Sequence, residues 1–121
     1  MRTLLALAAA AEAITGVALI ASPPLVARLL WNAEVSPSGL AFGRVCGVAL
    51  VALGWACWPS RNNARAAAAM LLYSLLSTLY LGYLGILGEF AGPLLWPAVS
   101  YHALMAVLLA WAWTKERGEL R

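Results

Sequence analysis

Charge is scarce in this 121-residue chain, where eight Lys and Arg and five Asp and Glu make up 11% of the residues. A soluble domain carries about 25%, so these few charges cannot solvate the surface of a compact water-soluble globule. The net charge of +3 is scattered rather than clustered, which argues against nucleic acid as a partner. Only two cysteines are present, Cys46 and Cys57. Both fall in one apolar run, about 16 Å apart along a helix, too far to bridge each other. A single histidine, His102, rules out bis-histidine haem ligation within one chain. No His, Cys, Asp and Glu grouping has metal-ligand spacing, so no metal site is expected. A P-loop and a glycine-rich dinucleotide fingerprint are missing as well, and no cofactor is identifiable. Cys46 follows Arg44 by two residues but has no resolving cysteine within reach, and it reads as a small apolar packer.

What is present is apolar: 64% of residues are hydrophobic and the mean hydropathy is +0.83. Apolar surface on that scale faces lipid. Four stretches, at about 3–22, 38–58, 66–88 and 94–113, have the roughly twenty-residue length that crosses a hydrocarbon core. After the first, Ser22 and the prolines Pro23 and Pro24 start a short helix at about 23–31, on which Leu25, Val26, Leu29, Leu30 and Trp31 share a face that excludes Arg28. This helix should lie in the membrane interface. Ser36 and Pro37 open the second membrane helix, Arg61, Asn62 and Asn63 form a polar turn, and residues 88–93 form a glycine-bounded one. The expected fold is therefore all-α, one domain over 1–121: a four-transmembrane-helix antiparallel bundle with a short interfacial helix after helix 1. Glu12, and an apolar run that continues to Ala21, favour a retained first helix over a cleaved signal peptide.

Orientation follows from the basic residues. With both termini on one side, Arg2, Arg61, Arg65, Lys115, Arg117 and Arg121 share that side and Arg28 stands alone opposite, which places the termini in the cytoplasm. Trp55, Trp58, Trp111 and Trp113 then fall at the cytoplasmic interface, and Trp31 and Trp96 at the other.

Gly39, Gly43 and Gly47 recur every four residues and line one face of the second helix, a seam for close packing inside the bundle or against a second copy. Gly82, Gly85 and Gly88 make a looser strip in the third helix, suited to helix contact or to a ligand. Counting depth from the non-cytoplasmic helix ends places Glu12, Arg44, Tyr80 and His102 between roughly 9 and 15 Å deep, with Ser77 and Thr78 at a similar level. Each membrane helix thus contributes to one polar layer. An ionisable group at that depth costs about 2.5 to 3.5 kcal/mol and is by default a functional-site hypothesis. The plainer alternative is an ion pair in which Arg44 neutralises Glu12 and fixes helix register.

The segments Ala11-Glu12-Ala13-Ile14-Thr15-Gly16, Pro23-Pro24, Gly43-Arg44-Val45-Cys46-Gly47, Ala52-Leu53-Gly54 and Gly92-Pro93-Leu94-Leu95-Trp96-Pro97-Ala98-Val99, with His102, span most of the chain. Together they resemble small uncharacterised bacterial four-helix integral membrane proteins, loosely DoxX-like. That resemblance implies the fold and a bacterial cytoplasmic (inner) membrane, with little chemistry; no catalytic residues of DoxX itself map onto this sequence. Ala11-Glu12 also looks like the membrane glutamate of small multidrug exporters, though the remaining helices do not match, and Arg44 would neutralise a glutamate that such exporters need free.

The leading functional expectation is a small integral membrane protein that binds a lipophilic small molecule or serves as an accessory subunit in a membrane redox or lipid pathway. Its partners would be membrane lipid, a lipid, quinone or isoprenoid ligand, and either a second copy or a partner membrane subunit. Two alternatives remain open: a membrane-embedded enzyme on an isoprenoid, quinone or sterol-like substrate, with Glu12 and His102 as acid and base, and a proton-coupled small exporter.

Overall fold

The computed structural model describes residues 1–119, with Arg117 and Glu119 described by backbone alone. Arg121, counted in the charge balance above, lies outside the described residues. All regular structure among them is helical: α1 (Arg2–Ala21), α2 (Pro23–Trp31), α3 (Pro37–Ala56), α4 (Ala64–Leu87) and α5 (Leu95–Glu119). Four of the five, all but α2, are long and apolar enough to cross a membrane.

Local chemistry sets the breaks. Ser22 adopts an extended backbone between α1 and α2, and prolines occupy the first two positions of α2, where a missing N–H costs nothing. Asn32 ends α2 in the left-handed conformation that asparagine tolerates. At α3 the Ser36 hydroxyl accepts from Gly39 N at 3.1 Å, an N-cap just ahead of Pro37. The turn before α4 is tied by Asn63 Oδ1 accepting from Ser60 N at 2.8 Å and Asn62 Oδ1 from Ala64 N at 3.2 Å. Gly88 closes α4 at φ 74°, a conformation that glycine adopts without strain.

Two helix pairs make up the fold. Along α1 and α3 the partners run in opposite senses, Gly54 meeting Ala9 and Ala13 while Gly47 meets Gly16 and Ile20. Along α4 and α5 the same holds, with Gly82 facing Val99 and Gly85 facing the Trp96 ring. The glycine seam expected on the second helix is therefore covered by the chain itself: Gly39 by Val35, Gly43 by Pro23 of α2 and Gly47 by α1. Gly88 does not continue a strip with Gly82 and Gly85, because it serves as the α4 cap.

The pairs join through α1, whose Leu5, Ala8 and Ala9 meet Ala67 and Met70 of α4, Met105 and Leu109 of α5, and Cys57. This core lies at the end that holds Met1, the α3–α4 turn and the last turns of α5. At the opposite end α2 clamps the α4–α5 turn. Gly92 N and Leu94 N donate to the Leu30 and Leu29 carbonyls at 3.2 and 2.8 Å, satisfying acceptors that a helix C-terminus leaves free. A Cβ on Gly92 would collide with the backbone of Leu29 and Leu30, so the clamp requires glycine. In α2, Pro23 and Ala27 are the residues buried against the bundle, and Leu25 of the expected interfacial apolar face is exposed.

Candidate functional site

The inward stripe of each of three helices changes character at one level. On α1 Leu5 and Ala8 are followed four residues on by Glu12; on α4 Ala67 and Met70 are followed by Ser74; on α5 Leu109 and Met105 lead back to His102. All three polar residues hold inward positions at helical spacing, and packing buries them: Glu12 is 3% exposed, Ser74 1% and His102 9%. They cap the apolar core. Beyond them, on the side toward α2, Leu19, Ser77, Leu81 and Val99 are half-buried, while Gly16 of α1 and Leu95 of α5 are buried.

Glu12 Oε1 stands 4.0 Å from His102 Nδ1, an ion-pair distance but too long for a hydrogen bond. The Tyr73 hydroxyl is within hydrogen-bonding reach of the Glu12 carboxyl and the Ser77 side chain. The His102 ring lies edge-on to both Tyr73, at 5.6 Å between centroids, and Tyr101, at 5.2 Å. These T-shaped contacts lock the imidazole in place. Two buried polar atoms here, His102 Nδ1 and Tyr101 Oη, have no hydrogen-bond partner. Thr78 spends its hydroxyl on its own helix, donating to the Ser74 carbonyl at 2.8 Å.

Of the residues expected in the polar layer, Glu12 and His102 come together, with Ser77 and Thr78 at the border. Arg44 and Tyr80 do not join them. Arg44 is exposed and forms no ion pair among the described residues, so the expected Glu12–Arg44 pair is absent. The reason is the register of the α1–α3 pair: with Gly47 against Gly16 and Gly54 against Ala9, Arg44 falls at the level of Leu19, about 10 Å along α1 from Glu12. Tyr80 is 62% exposed. It lies two turns beyond Tyr73 on nearly the same side of α4; at Tyr73 that side meets Glu12, and at Tyr80 it is open. Tyr73, Ser74 and Tyr101 were missed because depth counting fixes a level but not a face. The spacing Met70, Tyr73, Ser74, Ser77 carried the signal.

Two cavities lie elsewhere. One of about 430 Å³ is lined by Ile20, Val48, Val51, Ala52 and Trp55 on the outer side of the α1–α3 pair. Another of about 220 Å³ is lined by Met1, Trp111, Ala112, Lys115 and Glu116. Among the described residues no group of three or more His, Cys, Asp or Glu is placed to hold a metal ion. No family model, no curated protein and no solved structure matches this chain.

Proposed function

We propose that the chain is a four-helix antiparallel membrane bundle that binds a lipophilic small molecule, with the polar head of that molecule seated on the Glu12, Tyr101 and His102 cluster. The observation that carries this reading is the pair of unpartnered buried atoms, His102 Nδ1 and Tyr101 Oη, beside a buried carboxylate. Buried polar atoms are nearly always satisfied, and a native exception signals a ligand or an ordered water. The partial exposure of Leu19, Leu81 and Val99 on the α2 side is compatible with it, next to a fully packed core.

The opposed registers of both helix pairs support the antiparallel bundle, and the distribution of basic residues supports cytoplasmic termini in a bacterial inner membrane. The DoxX-like resemblance points to the same setting. A second reading, an enzyme using Glu12 and His102 as acid and base, draws on their 4.0 Å separation and on the edge-on tyrosines that orient the imidazole.

Native mass spectrometry of the protein released gently from its own membrane tests ligand binding. A small lipophilic adduct is expected on the wild type and is expected to fall in Tyr101→Phe, which removes one oxygen and leaves the ring contact. A bare wild-type mass overturns the reading. For orientation, a cysteine placed at Asn62 should react with a membrane-impermeant thiol reagent only after the cytoplasmic face is opened; labelling in intact cells would reverse the topology.

A further inference from the structure

We infer that the outer groove of the α1–α3 pair is a site for one anionic phospholipid, its phosphate held by Arg44 and an acyl chain laid along Val48, Val51 and Trp55. The inference rests on α3 crossing a membrane and is independent of the Glu12 cluster. At 100° per residue, Val51 and Trp55 fall within about 20° of Arg44 round α3 and Val48 within about 40°, so the four share one stripe. Val48, Val51 and Trp55, with Ala52 of α3 and Ile20 of α1, line the cavity of about 430 Å³, and Arg44 stands one turn beyond Val48 at its end. Gly47 and Gly54, which meet α1, lie about 60–80° to one side of Arg44, and Leu53, packed on the core, lies about 180° away. The stripe therefore turns its back on the bundle, with Val48 59% and Trp55 85% exposed.

Arg44 is the one charged residue of α3, and it has no ion-pair partner among the described residues. An isolated cation in an apolar span is costly and calls for an anion or for escape to the interface. Arg44 lies about 10 Å from the Pro37 end of α3 and about 18 Å from the Ala56 end. Helix side chains lean toward the N-terminus, so its guanidinium extends toward the nearer end, where lipid head groups lie. There it can hold a phosphate through two parallel N–H···O bonds. An anionic head supplies the charge that is missing, whereas the phosphate of a zwitterionic lipid is already offset by its own ammonium. From Arg44 to Trp55 the stripe runs about 16 Å, close to half of a hydrocarbon core about 30 Å thick and so within reach of one acyl chain. A second copy suits the stripe less well. Two-fold pairing about the membrane normal would set Arg44 against its own counterpart, like charges at one level.

The test is native mass spectrometry of the full chain in detergent micelles, supplied with equal amounts of phosphatidylglycerol and phosphatidylcholine bearing the same acyl chains. One phosphatidylglycerol per chain is expected, retained at least tenfold over phosphatidylcholine. Arg44→Gln should abolish the preference, and Arg44→Lys, which keeps the charge but not the fork, should keep part of it. Ala52→Phe fills the groove and should lower retention at least threefold with Arg44 intact. Both side chains are exposed, so thermal unfolding without lipid should match the wild type. Tyr101→Phe, at the Glu12 cluster, should leave phosphatidylglycerol retention unchanged, which separates this site from the one proposed there. Equal retention of the two lipids, or a preference that survives Arg44→Gln, overturns the inference. Displacement of the lipid by glycerol phosphate would make the site one for free phosphate, and a dimer that Arg44→Gln takes apart would make it an interface between copies; either result overturns the lipid assignment.

Discussion

The two sides of α1 are held by opposite means. Toward α3 it offers Ala9, Ala13, Gly16 and Ile20 to Gly47 and Gly54, and the contact is backbone on backbone: a Cβ on Gly47 would stand 2.6 Å from the Gly16 carbonyl oxygen. Toward α4 and α5 it offers Leu5, Ala8 and Glu12 to large side chains, and the contact is side chain on side chain, closed at its upper edge by polar groups. In lipid, where burial of apolar surface supplies little drive between helices, the first side gains from close dispersion contact and the second from interlocking shape and hydrogen bonds. The first side therefore holds the helices at one fixed distance, and the second can carry chemistry. Sequence positions with the smallest residues set the architecture, and the polar cluster occupies the side where there is volume to shape.

This contrast can be broken first on the glycine side. Gly47→Ala should cost about 2–3 kcal/mol in detergent unfolding, because its new methyl meets main chain at Gly16 and Ile20 that cannot rotate away. On the other side, Glu12→Leu should cost about 1–3 kcal/mol, since it takes away the carboxyl that the Tyr73 hydroxyl can reach and sets an alkyl chain against the buried His102 ring. Met70→Leu, a swap that nearly conserves volume in the packed core, should cost less than about 1.5 kcal/mol by the same measurement. Arg44→Gln should change stability by no more than about 0.5 kcal/mol, as expected of an exposed side chain with no ion-pair partner. A Gly47→Ala variant as stable as the wild type would show that the α1–α3 distance is not fixed by glycine, and the contrast would fail.

Much of the architecture was legible from residue patterning. Helix-length apolar runs, prolines at first-turn positions and turn residues place the five helices to within a few residues, save that α5 runs on to Glu119 rather than ending near 113. The Gly43 and Gly47 spacing identified a close-packed face, and only the three-dimensional arrangement assigned it to the chain's own α1 and α2. The candidate site was half legible. Glu12 and His102 stand out because ionisable residues in apolar runs are costly, but pairing them by depth drew in Arg44 and Tyr80, which the packed helices leave about two turns nearer α2 and exposed. Angular position decided the outcome: Tyr73 and Ser74 continue the inward stripe of Ala67 and Met70, so the helical phase of α4 would have chosen them. What no single helix reveals is which neighbour covers it at each level, and that is why Tyr101 emerged only from the fold.

The central claim is that Glu12 belongs to the α4–α5 side and not to Arg44, and a pair of double-mutant cycles on thermal unfolding in detergent tests it most directly. Glu12→Leu combined with Tyr73→Phe should show a coupling of about 1 kcal/mol, because the Tyr73 hydroxyl is within reach of the Glu12 carboxyl and either change alone removes that polar contact. Glu12→Leu combined with Arg44→Met should be additive within about 0.5 kcal/mol. Strong coupling between Glu12 and Arg44, with additivity between Glu12 and Tyr73, would contradict the account.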